Sequence, residues 1–399
     1  MLFKSKLRIL PNLFASFFKS AKIAGLLLIF CTILSLVLTN SAIGESYAGF
    51  MHHRMNLSFA GHTLNYSFEH FVNDGLMAIF FLMVGLEVER ELYTGELAEF
   101  KKAILPVAAA LGGVCTPALI HYLFNMGTPT QSGFAIPMAT DIAFAVGVLG
   151  LAGSRVPVAV TVFLTALAVI DDICAIIVIA LFYTQTIHFS YLLIGFGLLG
   201  FLFVLNRLKV QMLSIYLLTG VVIWYCFLQS GVHATISGVL LAFVIPFDHN
   251  NKANISNRLS HFLHKPVAFI IVPVFALVNT AIIIPPGIVA TLGNPNSAGI
   301  ILGLLVGKVT GIFVFPYLLV KSGLAKLQQS ITWKYLVGIG LLGGIGFTMS
   351  IFITMLAFTD AQLVSSSKLS VLLGSTLSAI AGLLVFLSGP ASSYKNSSN

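Results

Sequence analysis

Four ionisable residues lie in segments of the chain that are otherwise strongly apolar: Asp141, Asp171, Asp172 and Lys308. A charge at the centre of a bilayer-spanning helix costs about 2.5–3.5 kcal/mol even on lenient insertion scales. Such a side chain is tolerated where it faces a wet cavity, has a partner of opposite charge, or loses its own charge. Three acids and one base in such surroundings therefore indicate a pathway for ions or protons.

Asp171 and Asp172 are adjacent in the apolar segment 156–184. Neighbouring helix positions point about 100° apart, so the two carboxyl groups do not share one direction. Two acids in a low dielectric cannot both stay ionised cheaply, so we expect a coupled titration. The alternative that both acids lie at a helix end among lipid headgroups is disfavoured, because apolar residues follow the two acids in the chain. Asp172 continues a small, partly polar stripe at same-face spacings, formed with Thr161, Thr165 and Ala168.

Asp141 closes the sequence Pro137-Met138-Ala139-Thr140-Asp141 within segment 133–154. Proline removes a helix hydrogen bond, and backbone groups freed in a membrane must line a cavity or meet protein. An interruption of the helix near Asp141 is therefore predicted; the alternative is a kinked helix in which the aspartate caps a turn. The glycine-rich run 338–346 weakens a second helix and predicts a second interruption.

Lys308 follows two glycines spaced four apart, Gly303 and Gly307, which allow another helix to pack closely. It lies too deep in its segment for comfortable snorkelling to the interface. It therefore needs an acidic partner or a helix dipole, or it is neutral. A phosphate-binding loop is excluded, because Leu302 and Val309 occupy positions where that motif requires glycine and serine or threonine.

The elements that must position these residues are membrane helices. The chain is 58% hydrophobic and only 9% charged, which is incompatible with a soluble globular protein of this length. A spanning helix takes about 20 residues, and about twelve apolar stretches meet that length. Their short connections predict one all-α polytopic domain over 1–399, with spans near 21–40, 72–92, 103–124, 133–154, 156–184, 190–206, 210–229, 232–247, 265–286, 297–320, 334–357 and 370–389.

The net charge of +8 is positional and is not a signal for nucleic acid. Of the 21 lysines and arginines, Lys308 is internal, and only Arg54 and Lys368 fall in loops on one side of the membrane. All the others fall on the opposite side. By the positive-inside rule, this asymmetry predicts that both termini are cytoplasmic.

Residues 55–68 alternate between apolar and polar side chains around the turn Ala60-Gly61-His62. This period of two predicts a β-hairpin on the periplasmic side. A lone hairpin is marginally stable in water. It is therefore stabilised either by strands of a second copy, which predicts a homodimer, or by folding onto its own protomer.

The ends of the chain predict peripheral segments. Residues 1–20 resemble an interfacial amphipathic helix on the cytoplasmic side, and 390–399 form a disordered cytoplasmic tail. The apolar run after Lys22 is too long for a typical signal peptide, so we expect an uncleaved first span. The four cysteines have unrelated spacings and indicate neither a disulfide framework nor a metal site.

The third to fifth and the tenth to twelfth spans run in opposite directions, and the interrupted span is the middle member of each triplet. This pattern predicts an inverted repeat whose broken helices cross at the midplane, where transporters bind substrate. Opposed helix N-termini carry partial positive charge that Asp141 offsets, and opposed C-termini carry partial negative charge that Lys308 offsets.

The cytoplasmic edge carries further titratable residues. Glu87 and Glu91 lie four apart and could guard a cation entrance, or they belong to a solvated helix end with local charge pairing. His261 and His264 begin the ninth span. Histidine titrates near physiological pH, so these two are candidates for pH sensing, although many such residues are simply interfacial.

Several segments resemble the hallmark sequences of NhaA-type Na+/H+ antiporters, and the resemblance covers nearly the whole chain. These antiporters are themselves an example of transporters with inverted repeats. The segments are Phe-Phe-Leu-Met-Val-Gly-Leu-Glu-Val-Glu-Arg-Glu-Leu (80–92), Ala-Thr-Asp-Ile-Ala-Phe (139–144), Ala-Val-Ile-Asp-Asp (168–172) and Gly307-Lys308.

The resemblance implies roles for individual residues. Asp171 and Asp172 would bind a transient Na+ ion or protons, and Thr140 would lie beside Asp141 at the crossed helices. It leaves open whether Lys308 only balances helix dipoles or also carries a proton. Glu87 and Glu91 match a pH-responsive patch of the family. Ser260 replaces an acid that often precedes the histidine matching His261, which predicts a shifted or reduced pH response.

We therefore expect electrogenic exchange of Na+ or Li+ for H+ across the bacterial inner membrane, in contact with lipid and without a cofactor or enzyme activity. An intramembrane aspartyl protease also needs two membrane aspartates, but the Gly-Asp dipeptide typical of those enzymes does not occur in the sequence. A passive cation channel is the other alternative, and no selectivity-filter run supports it.

Overall fold

A computed structural model describes residues 22–59, 62–184, 187–248, 254–285, 287, 292–328 and 330–388. The expected interfacial segment 1–20 and the expected tail 390–399 lie outside these ranges. The described chain is helical apart from one pair of strands and short connections. The four cysteines are free thiols.

Within the described ranges, nine helices are long and apolar enough to cross a membrane. These are α1 Lys22–Thr39, α3 Phe68–Thr94, α4 Phe100–Phe124, α6 Val158–Phe182, α7 Phe189–Arg207, α8 Leu213–Ser230, α10 Ile255–Asn279, α11 Pro295–Lys321 and α14 Ala361–Leu387. Between them lie α2 Gly44–His52, α5 Ile142–Leu151, α9 Thr235–Val244, α12 Trp333–Gly343 and α13 Phe347–Ala357.

Two helix pairs are broken spans, at the two places where interruptions are predicted. The 3-10 helix Pro129–Met138 and α5 meet at 47°, and α12 and α13 meet at 46°. The first half of the earlier pair is a 3-10 helix and not the α-helix that its apolar sequence suggests. Pro137 lies inside this half, where its missing N–H prevents a regular α-helical ladder.

The described residues support a polytopic membrane protein with nine to eleven spans by length and composition. The expected eighth span, over 232–247, is represented by the ten-residue helix α9. This helix is too short to cross a bilayer alone, so the count of twelve is not confirmed. It packs against α3, where a Cβ atom added to Gly85 would come within 2.6 Å of the Ala242 side chain.

Strands β1 Arg54–Phe59 and β2 His62–Ser67 pair antiparallel at the position that the alternation predicts. In their register Met55 lies opposite Tyr66, and Leu57 lies opposite Leu64. The tip residues 60–61 lie outside the described part of the chain. The hairpin joins the short helix α2 to the membrane helix α3.

Lys368 belongs to α14, so its assignment to a loop is wrong. The helix begins at Ala361, where Asp360 caps it by accepting a hydrogen bond from the Leu363 N–H. The serines that precede Lys368 lower the apolar signal in the sequence, yet Ser366 and Ser367 are buried. Because polar residues here face other helices and not lipid, hydropathy places the start of the span too late.

Helices α4 and α11 pack closely enough to position Lys308. A Cβ atom on Gly307 would come within 2.7 Å of the Pro117 Cα atom, and Gly112 and Gly311 face one another across the same contact. Immediately before Lys308, α11 contains a π-helical turn over Gly303–Gly307 that the sequence does not predict. Such turns occur often at functional sites.

Candidate functional site

The two helix breaks cross and are joined by hydrogen bonds. The backbone N–H of Asp141 donates to the carbonyl oxygen of Ile345 at 2.7 Å. Thr140 Oγ1 lies 2.8 Å from the carbonyl oxygen of Gly343, at the C-terminal end of α12. The breaks therefore satisfy each other's backbone groups, as buried irregular backbone in a membrane must.

Asp141 lies at the N-termini of α5 and α13 together. Its Oδ1 accepts from the Phe144 N–H at 3.0 Å. Its Oδ2 accepts from the Thr348 N–H at 3.1 Å and from Thr348 Oγ1 at 2.5 Å. A carboxylate between two helix N-termini is stabilised by their partial positive charge, which matches the charge balance expected for Asp141.

Lys308 has an acidic partner. Its Nζ lies 2.5 Å from Asp171 Oδ2, and both side chains are fully buried. Lys308 Nζ also donates to Thr140 Oγ1 at 3.0 Å, and that hydroxyl lies 2.7 Å from Asp171 Oδ2. Lys308 thus reaches the C-terminus of α12 through Thr140, while its own charge is balanced by the carboxylate.

Asp172 is 3% exposed and faces the crossing. It lines a narrow cavity together with Thr140, Asp141, Phe80 and Thr348. Among the described residues of α6, three buried side-chain oxygens have no hydrogen-bond partner: Oδ1 of Asp171, Oδ1 of Asp172 and, about three turns away, Oγ1 of Thr161. Two of them are carboxylate oxygens, the atom type that hard cations prefer and that also accepts a proton.

Within the described ranges, no group of three or more His, Cys, Asp or Glu residues could hold a metal ion. A cation at this place would therefore rely on Asp171 and Asp172 together with hydroxyl or backbone oxygens. Such a set suits a transported ion that must leave again.

The profile of the family described as Na+/H+ antiporter 1 matches residues 15–386. The chain belongs to this antiporter family. Three relatives named Na+/H+ antiporter NhaA come from Cytophaga hutchinsonii, Dechloromonas aromatica and Flavobacterium psychrophilum. They are 54%, 55% and 52% identical to it over 373, 379 and 373 residues. Each alignment covers 94% of this chain and 94%, 95% and 95% of the relative, respectively.

Membership of the Na+/H+ antiporter family makes the chain a transporter and not an enzyme. Neither the aspartyl protease nor the passive channel gains support from the matched relatives. The bilayer-spanning helices agree with a multi-pass transporter.

The four candidate pH sensors lie close together, at the C-terminal part of α3 and the N-terminal part of α10. His264 Nδ1 lies 4.0 Å from Glu87 Oε1. Glu91 Oε1 lies 4.0 Å from Arg90 Nη2, and the His261 side chain is exposed. Glu91 is near enough to Glu87, and His261 near enough to His264, for an electrostatic interaction, so the structure brings all four residues together.

Two buried polar residues were not identified from the sequence. Thr348 is the main partner of Asp141, and its signal was its place at the start of the helix after the second break. Glu89 is 5% exposed and accepts a hydrogen bond from Ser256 Oγ at 3.1 Å. Its sequence context, among Glu87, Arg90 and Glu91, resembles a solvated helix end and gave no sign of burial.

Proposed function

We propose that the chain exchanges Na+ or Li+ for H+ across the bacterial inner membrane, and that Asp171 and Asp172 carry the exchange. One observation supports this above all others. The buried ion pair of Asp171 and Lys308 lies beside Asp172, which lines a narrow cavity at the two helix breaks. The names of the relatives support the same pair of ions.

In this proposal, competition for one group of carboxylates couples the two fluxes. A cation needs negative carboxylate oxygens, whereas a proton neutralises them, so the site holds either sodium or protons. A cation that approaches Asp171 Oδ2 must also replace the Lys308 ammonium. More than one proton per sodium makes the cycle electrogenic.

Thr140 and Asp141 have a positioning role in this proposal. Asp141 offsets the positive ends of α5 and α13, and Thr140 links Lys308 to the C-terminal end of α12. We further propose that the third to fifth and the tenth to twelfth spans form an inverted repeat, supported by the similar bends of 47° and 46°. Rocking of one repeat against the other would expose the site alternately, as in NhaA-type and other inverted-repeat transporters.

The arrangement in the membrane follows from charge and hairpin placement. Basic loops on one side support cytoplasmic termini in a bacterial inner membrane. The contact of Glu87 with His264 supports a pH response through these two residues, with Glu91 and His261 as weaker candidates. The outer edges of strands β1 and β2 can pair with strands of a second copy of the chain, which supports a homodimer.

Everted membrane vesicles test the proposal. A proton gradient is generated by respiration, and a fluorescent probe reports its loss when NaCl or LiCl is added. We expect both salts to dissipate the gradient at alkaline pH, at a rate that depends on membrane potential. A lack of response to both cations at every alkaline pH tested would overturn the proposal, and sodium flux without proton movement would favour a channel.

A further inference from the structure

A second buried lysine, Lys368 on α14, lies outside the exchange site. It is 6% exposed, and its Nζ lies 3.9 Å from Glu69 Oε1 and 3.5 Å from Asn279 Oδ1. A lysine is rarely buried unless it is paired. The proposed exchange mechanism assigns no role to Lys368.

Lys368 belongs to a polar cluster that joins four helices. Asn279 of α10 donates from Nδ2 to Asn73 Oδ1 of α3 at 2.8 Å. Asn73 Nδ2 in turn lies 3.4 Å from Asn279 Oδ1 and 3.4 Å from Met355 Sδ of α13. We call this cluster the lysine gate, and it consists of Glu69, Asn73, Asn279, Met355 and Lys368.

Three of the four helices of the lysine gate, α3, α10 and α13, also line the cavity beside Asp172. On α3, Asn73 precedes the cavity residue Phe80 by about two helical turns. On α10, Asn279 follows the cavity residue Val272 by the same distance.

On α13 the spacing is the same again, because Met355 follows the cavity residue Thr348 by about two turns, or about 10 Å. α3 leads away from the hairpin while α10 and α13 run in the other direction. All three helices therefore bring their polar residues together on the hairpin side of the cavity. Beside the cavity, the rings of Phe81 and Phe352 meet with centroids 5.5 Å apart.

We propose that the lysine gate closes the ion path between the cavity and the hairpin face of the membrane, and that the Lys368 ammonium acts as a tethered cation in that path. This inference rests on the proposed exchange function. The oxygens of Glu69 and Asn279 suit a monovalent cation, and the ammonium occupies the place between them. A sodium ion can pass only after Lys368 has moved away.

The contacts of the lysine gate suit a barrier that opens in each cycle. The ion pair is long, at 3.9 Å, and the remaining links are amide and thioether contacts, which are weaker than charge-assisted bonds. When the gate is closed, the positive charge of Lys368 repels a cation that approaches from either side.

Accessibility of a cavity cysteine tests the lysine gate. In a variant whose native cysteines are replaced by serine, Val272→Cys places a thiol in the cavity. Ag+, a thiol-reactive monovalent cation, is added in nitrate buffer to right-side-out or inverted vesicles. A thiol that has reacted with Ag+ is protected against later alkylation. The protected fraction, followed over time, gives the reaction rate from each face. We expect Lys368→Met to raise the rate from the hairpin face by about tenfold or more, because a local positive charge depletes cations.

Matched variants separate the gate from a general loosening of the fold. Lys321→Met removes an exposed lysine at the end of α11 and should leave the rate within about twofold of its parent. Lys368→Arg keeps the charge and should also stay near the parent, whereas Asn279→Ala should raise the rate because it removes the link between Lys368 and Asn73. Rates from the opposite face should not change.

The inference is overturned if Asn279→Ala and Lys368→Met, each folded as a single gel-filtration peak, react at the parental rate from the hairpin face. If Lys368→Met does not fold, the reaction rate of Asn279→Ala from the hairpin face alone decides whether the inference holds. Silver labelling does not require exchange. The proposed function is therefore tested separately, by measuring sodium-driven proton movement in a parent protein that retains Val272.

Discussion

Lys308 and Asp171 form a fully buried ion pair, with Nζ and Oδ2 2.5 Å apart, on helices that belong to different halves of the fold. Taking two charges out of water is costly, and their attraction repays the cost only with good geometry and additional hydrogen bonds. Thr140 supplies one of these bonds. Removing either side chain of the pair therefore leaves the other as an uncompensated buried charge.

The first prediction compares the loss of one charge with the loss of both. Asp171→Asn should nearly abolish exchange and should destabilise the protein by about 3–5 kcal/mol, because Lys308 is left without its carboxylate. The double variant Asp171→Asn/Lys308→Met should recover part of the stability but none of the exchange. Thermal unfolding in detergent measures the difference, with Lys321→Met as a control. A double variant no more stable than the single one would contradict the prediction.

The second prediction separates function from stability at Asp172. Asp172→Asn should abolish exchange, because an amide can neither release a proton nor offer a negative charge to a cation. Since burial of a poorly partnered carboxyl is costly, the same variant should unfold at an equal or higher temperature. Vesicle exchange and thermal unfolding are measured on one preparation. Exchange at the wild-type rate would overturn the site assignment.

The third prediction concerns the role of Lys308. Lys308→Arg keeps the positive charge and should keep the fold, but a guanidinium does not deprotonate in proteins. If the lysine carries a proton, the variant should exchange sodium without net charge movement. If the lysine is only a charge partner for Asp171, electrogenic exchange should remain. Current on a solid-supported membrane, measured beside proton flux, distinguishes the two outcomes.

The fourth prediction concerns the helix crossing. Thr348→Val removes the hydroxyl that donates to Asp141 Oδ2, and bonds to charged groups contribute about 1.5–3 kcal/mol. We expect a lower unfolding temperature and weaker apparent affinity for sodium, with turnover retained. Asp141→Asn should act in the same direction. The prediction fails if either variant erases turnover while leaving stability unchanged.

The fifth prediction is a pH dependence of stability at His233, which lies between α8 and α9. Burial lowers the pKa of His233 below its usual value, although its Nε2 bond to the Tyr183 carbonyl at 2.8 Å partly offsets this. The folded protein thus favours the neutral ring. Stability from this residue is present above the unfolded pKa of about 6.5 and is lost as pH falls towards the lower folded pKa.

His233→Gln retains a side-chain donor for Tyr183 but does not titrate. Between about pH 8 and about pH 5.5, we therefore expect the variant to lose less thermal stability than the wild type. Differential scanning fluorimetry at several pH values measures both slopes. Equal slopes would show that His233 does not contribute to the acid lability of the protein.

The chemistry-bearing residues and the two helix breaks could be predicted from the sequence, because each violates a strong rule. Charges at Asp141, Asp171, Asp172 and Lys308 stand out against an apolar background. Proline before one break and glycines before the other remove the regularity that a membrane helix needs. Such local signals do not depend on what packs nearby.

The start of α14 and the burial of Glu89 could not be predicted in the same way. Hydropathy assumes that polar residues avoid the membrane span, whereas Ser367, Lys368 and Glu89 face other helices. The ten-residue helix α9 shows the same limit, because its apolar sequence predicts a longer span than the structure contains. Only neighbours distant in sequence distinguish an interior polar face from a loop.

By itself, the sequence determined the class of protein, the broken spans and the acids and lysine of the site, because hydrophobicity and backbone breaks are local properties. The tertiary structure alone decided the pairing. It joined Lys308 to Asp171, left Oδ1 of Asp172 without a partner among the described residues, and bound Asp141 to Thr348. The physical reason is that partner choice depends on distances between helices far apart in the chain, and at these crossings a shift of about one turn, roughly 5 Å, would exchange one partner for another.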